Sequence, residues 1–183
     1  MYTGSNPSAL RSRRDIVQAF LRLLKKTPLE EISIKQIMNE AELSRQTFYQ
    51  IFNNKEEILE HYLDTIFKEF ISHSKNLEIN NLCQAAKLFF NFFEQYKQPL
   101  HLIIKNGKSC VVQRKCREYL LQSQYIHYTL CGVHSQQEQE YATTFVISGM
   151  VAMLEQWIRS DDQTQPETQE LANLVCRITG TDA

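Results

Sequence analysis

The chain has 183 residues, 43% of them hydrophobic and 22% charged, with 20 Lys/Arg against 21 Asp/Glu and a formal net charge of −1. That length and mix describe one globular domain or two small ones and exclude a disordered or fibrous chain. Five glycines and four prolines are too few for a turn-rich all-β fold or a series of Gly-rich nucleotide loops.

Helical periodicity runs from end to end. A first helix over 8–26 gathers Ile16, Val17, Phe20, Leu21, Leu23 and Leu24 on one broad face. Thr27-Pro28 stops it, because a residue before proline is pushed out of the α region. Ser33-Ile34-Lys35-Gln36 reads as a capping box that opens a short helix over 34–41, with Ile34, Ile37, Met38 and Ala41 inward. After the turn Glu42-Leu43-Ser44 comes a second short helix over 45–52. Asn53-Asn54 breaks it, and Asn54 caps a long helix over 55–74 whose Leu59, Leu63, Ile66 and Phe70 recur at the 4, 3, 4 spacing of a buried seam.

Beyond Asn80-Asn81, a helix over 82–96 carries Leu88, Phe89, Phe90, Phe92 and Phe93 almost all round its axis, the pattern of a helix that is buried or lines a cavity. There follow a short segment around Pro99, a turn at Asn106-Gly107 and a helix from 109 to about 130 that Cys131-Gly132 ends. Two last helices cover 135–160 and 166–179, the latter opened by Pro166-Glu167 and closed by Gly180. The expected fold is all-α, about nine helices. A three-helix helix-turn-helix domain over 8–54 is expected to precede a helical effector-binding and dimerisation domain over 55–183. Charge divides at nearly the same place: residues 1–55 carry nine Lys/Arg and five Asp/Glu, a net of +4, and residues 56–183 carry eleven and sixteen, a net of −5. A basic head on an acidic body points that head at an anionic partner.

The second short helix shows what the head offers. Phe48, Ile51 and Phe52 fall on one side, able to bury against Ile37, Met38 and Leu43; Gln46 and Gln50 fall opposite, flanked by Arg45, Thr47 and Tyr49. The outward face therefore holds amides, a guanidinium, a hydroxyl and a phenol, with no acid. Gln pairs bidentately with adenine in the major groove, Arg with guanine, and Thr touches a thymine methyl. Ser44 at the N-cap leaves free amides at a positive helix end that suits phosphate, and Lys55 opens the next helix within reach of the backbone.

The run RDIVQAFLRLLKKTPLEEISIKQIMNEAELSRQTFYQIFNNKEEIL resembles the DNA-binding domain of the TetR family of transcriptional regulators in order over about 45 residues. The resemblance is carried by Ser33 at the second helix cap, by Thr47-Phe48-Tyr49-x-x-Phe52 in the recognition helix, and by Lys55-Glu56 opening the fourth helix. It implies phosphate contacts from Ser33, Tyr49 and Lys55, base contacts from Arg45, Gln46, Thr47 and Gln50, and structural roles for Phe48 and Phe52. The chain departs from the family in the turn, with Ala41-Glu42-Leu43 where Ala-Gly-Val or Ala-Gly-Ile is usual. A residue other than Gly at positive φ there costs about 1 kcal/mol, and Glu42 brings a negative charge near DNA. Arg11, Arg13 and Arg14 are expected either to extend the contact as an N-terminal arm or to be a solvated tail.

The last two helices resemble the family's dimerisation pair. Ile147, Val151, Leu154 and Ile158 repeat at 4, 3, 4, and Ser148, Gly149 and Ala152 are small enough for a partner helix to come close; a plain intramolecular core is the other reading. The body also loosely resembles the subgroup that includes the activator of dihydroxyacetone kinase operons. An effector pocket is expected among Phe89, Phe92, Phe93, Tyr96, Tyr119, Tyr125, Tyr128 and Trp157, unless those rings are simply core. It would take a small apolar or aromatic effector and act on DNA through the helix over 55–74.

Other chemistry finds little support. Asn106-Gly107-Lys108-Ser109 echoes a phosphate loop, but the upstream Gly would fall at Leu102 and no strand precedes it. Cys131 and His134 lack a second metal-binding pair, and the five histidines show no acid–base partner pattern. Cys110 and Cys116 lie about 240° apart around one helix and cannot bond to each other. The five cysteines have no CxxC pairing, so reduced, buried thiols are expected, with a thiol sensor acting across helices as the alternative. No membrane span or secretory leader is expected, since the longest uncharged apolar stretch, 145–154, is about half of what a spanning helix needs and residues 1–14 turn basic. The expected protein is not an enzyme, takes no cofactor or metal, and resides in the cytoplasm. Its expected partners are double-stranded DNA with a palindromic operator and a second copy of itself. Such a regulator is expected to repress rather than activate. The alternative is a protein-interaction module of the same fold with weak or no DNA binding.

Overall fold

The computed structural model describes residues 6–75, 77–122, 135–160 and 165–180. Among them nine α-helices and one 3₁₀ turn follow in order: α1 (Pro7–Leu24), the 3₁₀ turn (Leu29–Glu31), α2 (Ile34–Glu40), α3 (Arg45–Ile51), α4 (Lys55–Ser74), α5 (Leu82–Glu94), α6 (Lys97–Lys105), α7 (Ser109–Gln122), α8 (Gln136–Arg159) and α9 (Thr168–Ile178). The all-α class and the helix order read from periodicity are those observed. The expected ending at Cys131-Gly132 and the Cys131/His134 pair lie outside the described residues. Two compact units divide between Thr65 and Ile66, inside α4.

In the N-terminal unit, the Asn6 side chain accepts the Ser8 amide at 3.0 Å and Pro7 opens α1, where a missing N–H costs nothing. Helix α1 therefore already contains Arg11, Arg13 and Arg14, which are not an extended arm; Arg11 and Arg14 are exposed on its surface. It ends at Leu24, ahead of the proline, where the Thr27 amide returns to the Leu23 carbonyl. Ile16, Ala19 and Phe20 of α1, Ile37 and Met38 of α2, and Phe48, Ile51 and Phe52 are all buried, and the three helices touch pairwise. Each such large side chain stabilises the unit by about 1.5–3 kcal/mol relative to exposure. Arg22 pairs with Glu40 across α1 and α2 at 2.6 Å, but both groups face water and the pair adds little.

In the body unit, α5 packs along α9, α7 lies against α8, and α6 touches both α7 and α8. Gly107, at φ 74°, closes α6 in the left-handed conformation. Ser109 and Gln113 of α7 donate to the Glu155 carboxylate on α8, as Arg159 does at 2.8 Å. The Trp157 indole N–H donates to the Pro166 carbonyl at 2.9 Å.

One expectation fails in this unit. Cys83 of α5 and Cys176 of α9 are not separate thiols but a disulfide, joined across 93 residues of sequence. Cys110 and Cys116 are free, the first exposed and the second buried. Burial pushes the Cys116 thiol pKa far up, which fits the small-hydrophobe reading for that residue.

Candidate nucleic-acid interface

The capping box foreseen at Ser33 is present. The Ser33 amide donates to Gln36 Oε1 at 2.8 Å, and the Gln36 amide donates to Ser33 Oγ at 3.3 Å. Helix α2 ends at Ala41, and the next residue, Glu42, has φ 55°, the one described residue other than glycine at positive φ. The turn thus demands the left-handed conformation where this sequence has no glycine. The Leu43 amide returns to the Met38 carbonyl at 2.9 Å to complete it.

Ser44 then starts α3. Its hydroxyl accepts the Thr47 amide at 3.1 Å and lies 2.9 Å from the Thr47 hydroxyl. Thr47 is consequently half-buried and engaged, whereas Arg45, Gln46, Tyr49 and Gln50 are exposed. Tyr49, 61% exposed, stands edge-on to the buried Phe48 ring at 5.4 Å, which fixes the phenol's base while its hydroxyl faces water. The arrangement is a row of hydrogen-bonding groups on a helix anchored from behind by Phe48, Ile51 and Phe52. It can donate to and accept from base edges and phosphates without exposing the core.

Beside this row runs an open groove of about 680 Å³, lined by Asn6, Ser8, Ala9 and Ser12 of the α1 end and by Leu43, Thr47, Gln50 and Ile51. The sequence reading missed Asn6, Ser8 and Ser12. Their signal was weak: small polar side chains every few residues at a helix start read as capping.

Lys55 has a different setting from the one the resemblance implied. Its ammonium donates to the carbonyls of Leu29, Glu30 and Ile32 at 2.6, 3.2 and 3.1 Å. All three N–H donors are spent closing the 3₁₀ turn. A phosphate would have to displace them. Behind it, Asn54 caps α4 by accepting the Glu57 amide at 2.9 Å. Glu57 in turn accepts the Asn53 side chain at 2.7 Å and the Asn53 amide at 3.0 Å, which hold its carboxyl below the usual range.

In the body, the aromatic residues divide. Phe89 and Phe93 are fully buried with their rings tilted against each other, centroids 4.8 Å apart, and with Phe70 and Phe67 against them. Tyr119 joins by stacking on Phe67 at 5.7 Å. These rings contact one another, because aromatic side chains at helical spacing on facing helices reach each other. Trp157 is not among them: its ring lies under the Lys97 ammonium, 5.6 Å from the centroid. Tyr125 and Tyr128 lie outside the described residues. Phe92 and Tyr96 sit at the edge of the cluster. Phe92 borders a groove of about 350 Å³ together with Glu69, His73, Leu88, Asn91 and Gln95, and Tyr96 donates its hydroxyl to Glu69 at 2.9 Å.

The expected dimer seam also divides. Ile147, Val151, Leu154 and Ile158 are buried in their own unit, where Val151, Leu154 and Ile158 border Ile104 of α6 and Val112 of α7. The most apolar row of α8 is claimed by the chain's own core. The opposite row faces out: Tyr141 at 72% and Phe145 at 76% exposure, then Gly149 and Ala152, with Ser148 half-buried. A Cβ built on Gly149 meets nothing within 4 Å. Helix α9 also turns Leu174 and Ile178 outward.

Among the described residues no group of three His, Cys, Asp or Glu side chains gathers as a metal site, and no helix is long and apolar enough to cross a membrane.

Residues 16–62 match the family described as bacterial regulatory proteins, tetR family. The HTH-type dhaKLM operon transcriptional activator DhaS of Lactococcus lactis subsp. lactis (strain IL1403) is 34% identical over 65 residues, 36% of this chain and 35% of that protein. The matched stretch is thus about a third of the activator's length. Two solved structures share the fold across nearly the whole chain. A TetR transcriptional regulator from Streptococcus agalactiae 2603V superposes with a TM-score of 0.69 at 16% identity, covering 94% of this chain and 95% of that one. The dihydroxyacetone kinase operon activator DhaS superposes with a TM-score of 0.65 at 18% identity, covering 93% and 94%.

Proposed function

We propose that the chain is a TetR-family regulator, a reading supported by the match over residues 16–62 and by the shared fold, and that it binds an operator in double-stranded DNA as a homodimer through α3. The observation that carries this is the exposed, acid-free row Arg45, Gln46, Tyr49 and Gln50 on a helix whose other side is core. Gln46, Gln50 and Arg45 read bases, and Ser33, Ser44 and Tyr49 meet the backbone. Thr47 contributes less than its neighbours because its hydroxyl is held by Ser44. Two recognition helices about one helical turn of DNA apart read a palindrome.

The dimer forms through the outward row of α8, Tyr141, Phe145, Gly149 and Ala152, with Leu174 and Ile178 of α9. This assignment keeps Gly149 and Ala152 from the sequence reading and replaces its large apolar residues, which are occupied. Exposed rings beside small residues suit close helix packing. A small effector with one apolar edge belongs to the same reading. It would sit in the groove beside Phe92, whose rim residues Glu69 and His73 lie on α4. Helix α4 is shared by both units, so a shift in it is a physical route from ligand to DNA.

Repression is the sign proposed from the sequence. Activation is the second reading, favoured by the name of the two DhaS relatives. The test is a titration of fluorescent DNA from the gene's own upstream region at two salt concentrations, with scrambled DNA as competitor. Binding that survives the competitor at ~150 mM salt supports a sequence-specific regulator, since non-specific affinity collapses with salt. Gln46→Ala with Gln50→Ala should then cost ~1–3 kcal/mol per lost base contact. Equal loss on both DNAs would transfer the reading to a protein-interaction module. A reporter behind the bound DNA, with and without the protein, decides the sign.

A further inference from the structure

Cys83 and Cys176 lie in the first turn of α5 and the last turn of α9, both buried and both within the body unit. Helix α9 is 11 residues long, too short to be stable alone, so its order depends on what holds it. Its start is held by the capping box between Glu167 and Glu170 and by the Trp157 bond to Pro166 just ahead of it. Its middle is held by the buried Leu171, Ala172 and Val175. Its end is held by Cys176. Two residues further on the helix stops, at Ile178, and Gly180 takes φ 64°.

We propose that Cys83 and Cys176 form a reversible thiol–disulfide site, which a peroxide closes and a small dithiol opens, and whose state sets how firmly the C-terminal half of α9 is held on α5. Closing removes two electrons and two protons from the pair. Hydrogen peroxide, with a proton, converts one thiolate to a sulfenic acid and releases one water; the second thiol then attacks that sulfur, the S–S bond forms and a second water leaves. Opening runs the other way by exchange. One thiolate of the dithiol attacks a cysteine sulfur to give a mixed disulfide, and its second thiol resolves this, leaving two protein thiols and an oxidised dithiol.

Position makes the exchange feasible in the folded protein. Cys176 lies in a terminal helical turn, and terminal turns open at low free-energy cost, so a reductant reaches it without melting the body. Two other thiols lie among the described residues. Cys116 is buried with its pKa pushed far up, which disfavours its thiolate, and Cys110 is exposed on α7, neither joined to Cys83 or Cys176. Opening the bond releases a crosslink over 93 residues, the kind of long loop whose closure most restricts the unfolded chain. It also loosens the helix that presents Leu174 and Ile178.

The experiment uses the full chain in three steps. Peptide mapping without reductant after peroxide treatment should find Cys83 linked to Cys176. Dithiothreitol in native buffer should then return both to thiols while the far-ultraviolet spectrum is unchanged. Amide exchange over 168–178 should quicken about tenfold or more on reduction, with the α8 core unaffected, and Tm should fall by about 10 °C. A Cys83→Ala chain should match the reduced protein under both conditions; should it fail to fold, the wild-type comparison carries the test. The proposal is overturned if the linked peptide never forms, if the bond resists dithiol until the protein is denatured, or if α9 exchanges equally in both states.

Discussion

Lys55→Ala separates two accounts of one side chain. The resemblance to the family places this lysine on a phosphate. The structure spends its three donors on the carbonyls of Leu29, Glu30 and Ile32. A hydrogen bond from a charged group contributes ~1.5–3 kcal/mol. The three here share one half-buried ammonium and do not add, so about 3 kcal/mol in total is the reasonable sum. For a chain of this size that is a fall in Tm of about 6–12 °C. The alanine chain would be assayed by thermal and urea denaturation, and by DNA anisotropy across a salt series well below its Tm. Expected are the lower Tm and an unchanged slope of log affinity against log salt, because no phosphate contact is lost. A slope smaller by about 0.9 with an unchanged Tm would refute the reasoning and return Lys55 to the DNA backbone.

Glu42→Gly should raise Tm by about 1–2 °C, since relief of ~1 kcal/mol of left-handed strain is about halved by glycine's extra entropy in the unfolded chain, ~0.5 kcal/mol. It should also tighten DNA binding at low salt by removing a carboxylate, and a lower Tm would mean that the turn is not strained. Phe145→Asp should shift the protein from dimer to monomer in analytical ultracentrifugation with its Tm as a monomer unchanged, because the ring is 76% exposed in the single chain. Gly149→Ala should stabilise the isolated helix by ~1 kcal/mol while weakening the dimer, and a dimer strengthened by both substitutions would place the contact elsewhere. The Glu155 carboxyl is pushed up by burial, but the hydrogen bonds from Ser109, Arg159 and Gln113 outweigh this and leave its pKa below 4.5. A lowered folded pKa means stability fully present above 4.5 and lost as pH falls through the folded value. Glu155→Gln should therefore flatten the acid side of a Tm-against-pH curve below about pH 4.5, and an unchanged curve would refute that assignment.

The outward row of α8 and the recognition face of α3 pose the same problem with different answers. On α3 the polar face is unambiguous, because Phe48, Ile51 and Phe52 leave one side only for Gln46 and Gln50. On α8 two rows are apolar enough to be buried, and burial in the chain's own core or against a second copy looks identical in the pattern. Val151, Leu154 and Ile158 turned inward because α6 and α7 present Ile104 and Val112 to them.

What the sequence determined by itself was local. The helices, the Ser33 capping box and the caps at Ser44 and Asn54 all follow from residues within four positions of one another, where backbone hydrogen bonds and φ preferences act. The face of α3 belongs here too, since 100° per residue needs no partner to be drawn. Tertiary structure decided everything that joins distant positions. It brought Cys83 to Cys176, gave Lys55 to the carbonyls of the 3₁₀ turn, closed Phe89 and Phe93 against Phe67 and Phe70, and chose between the two rows of α8. Those outcomes depend on which side chains share a volume. Apolar pattern says that a face must be covered, but only packing, which allows one occupant per site, says by what.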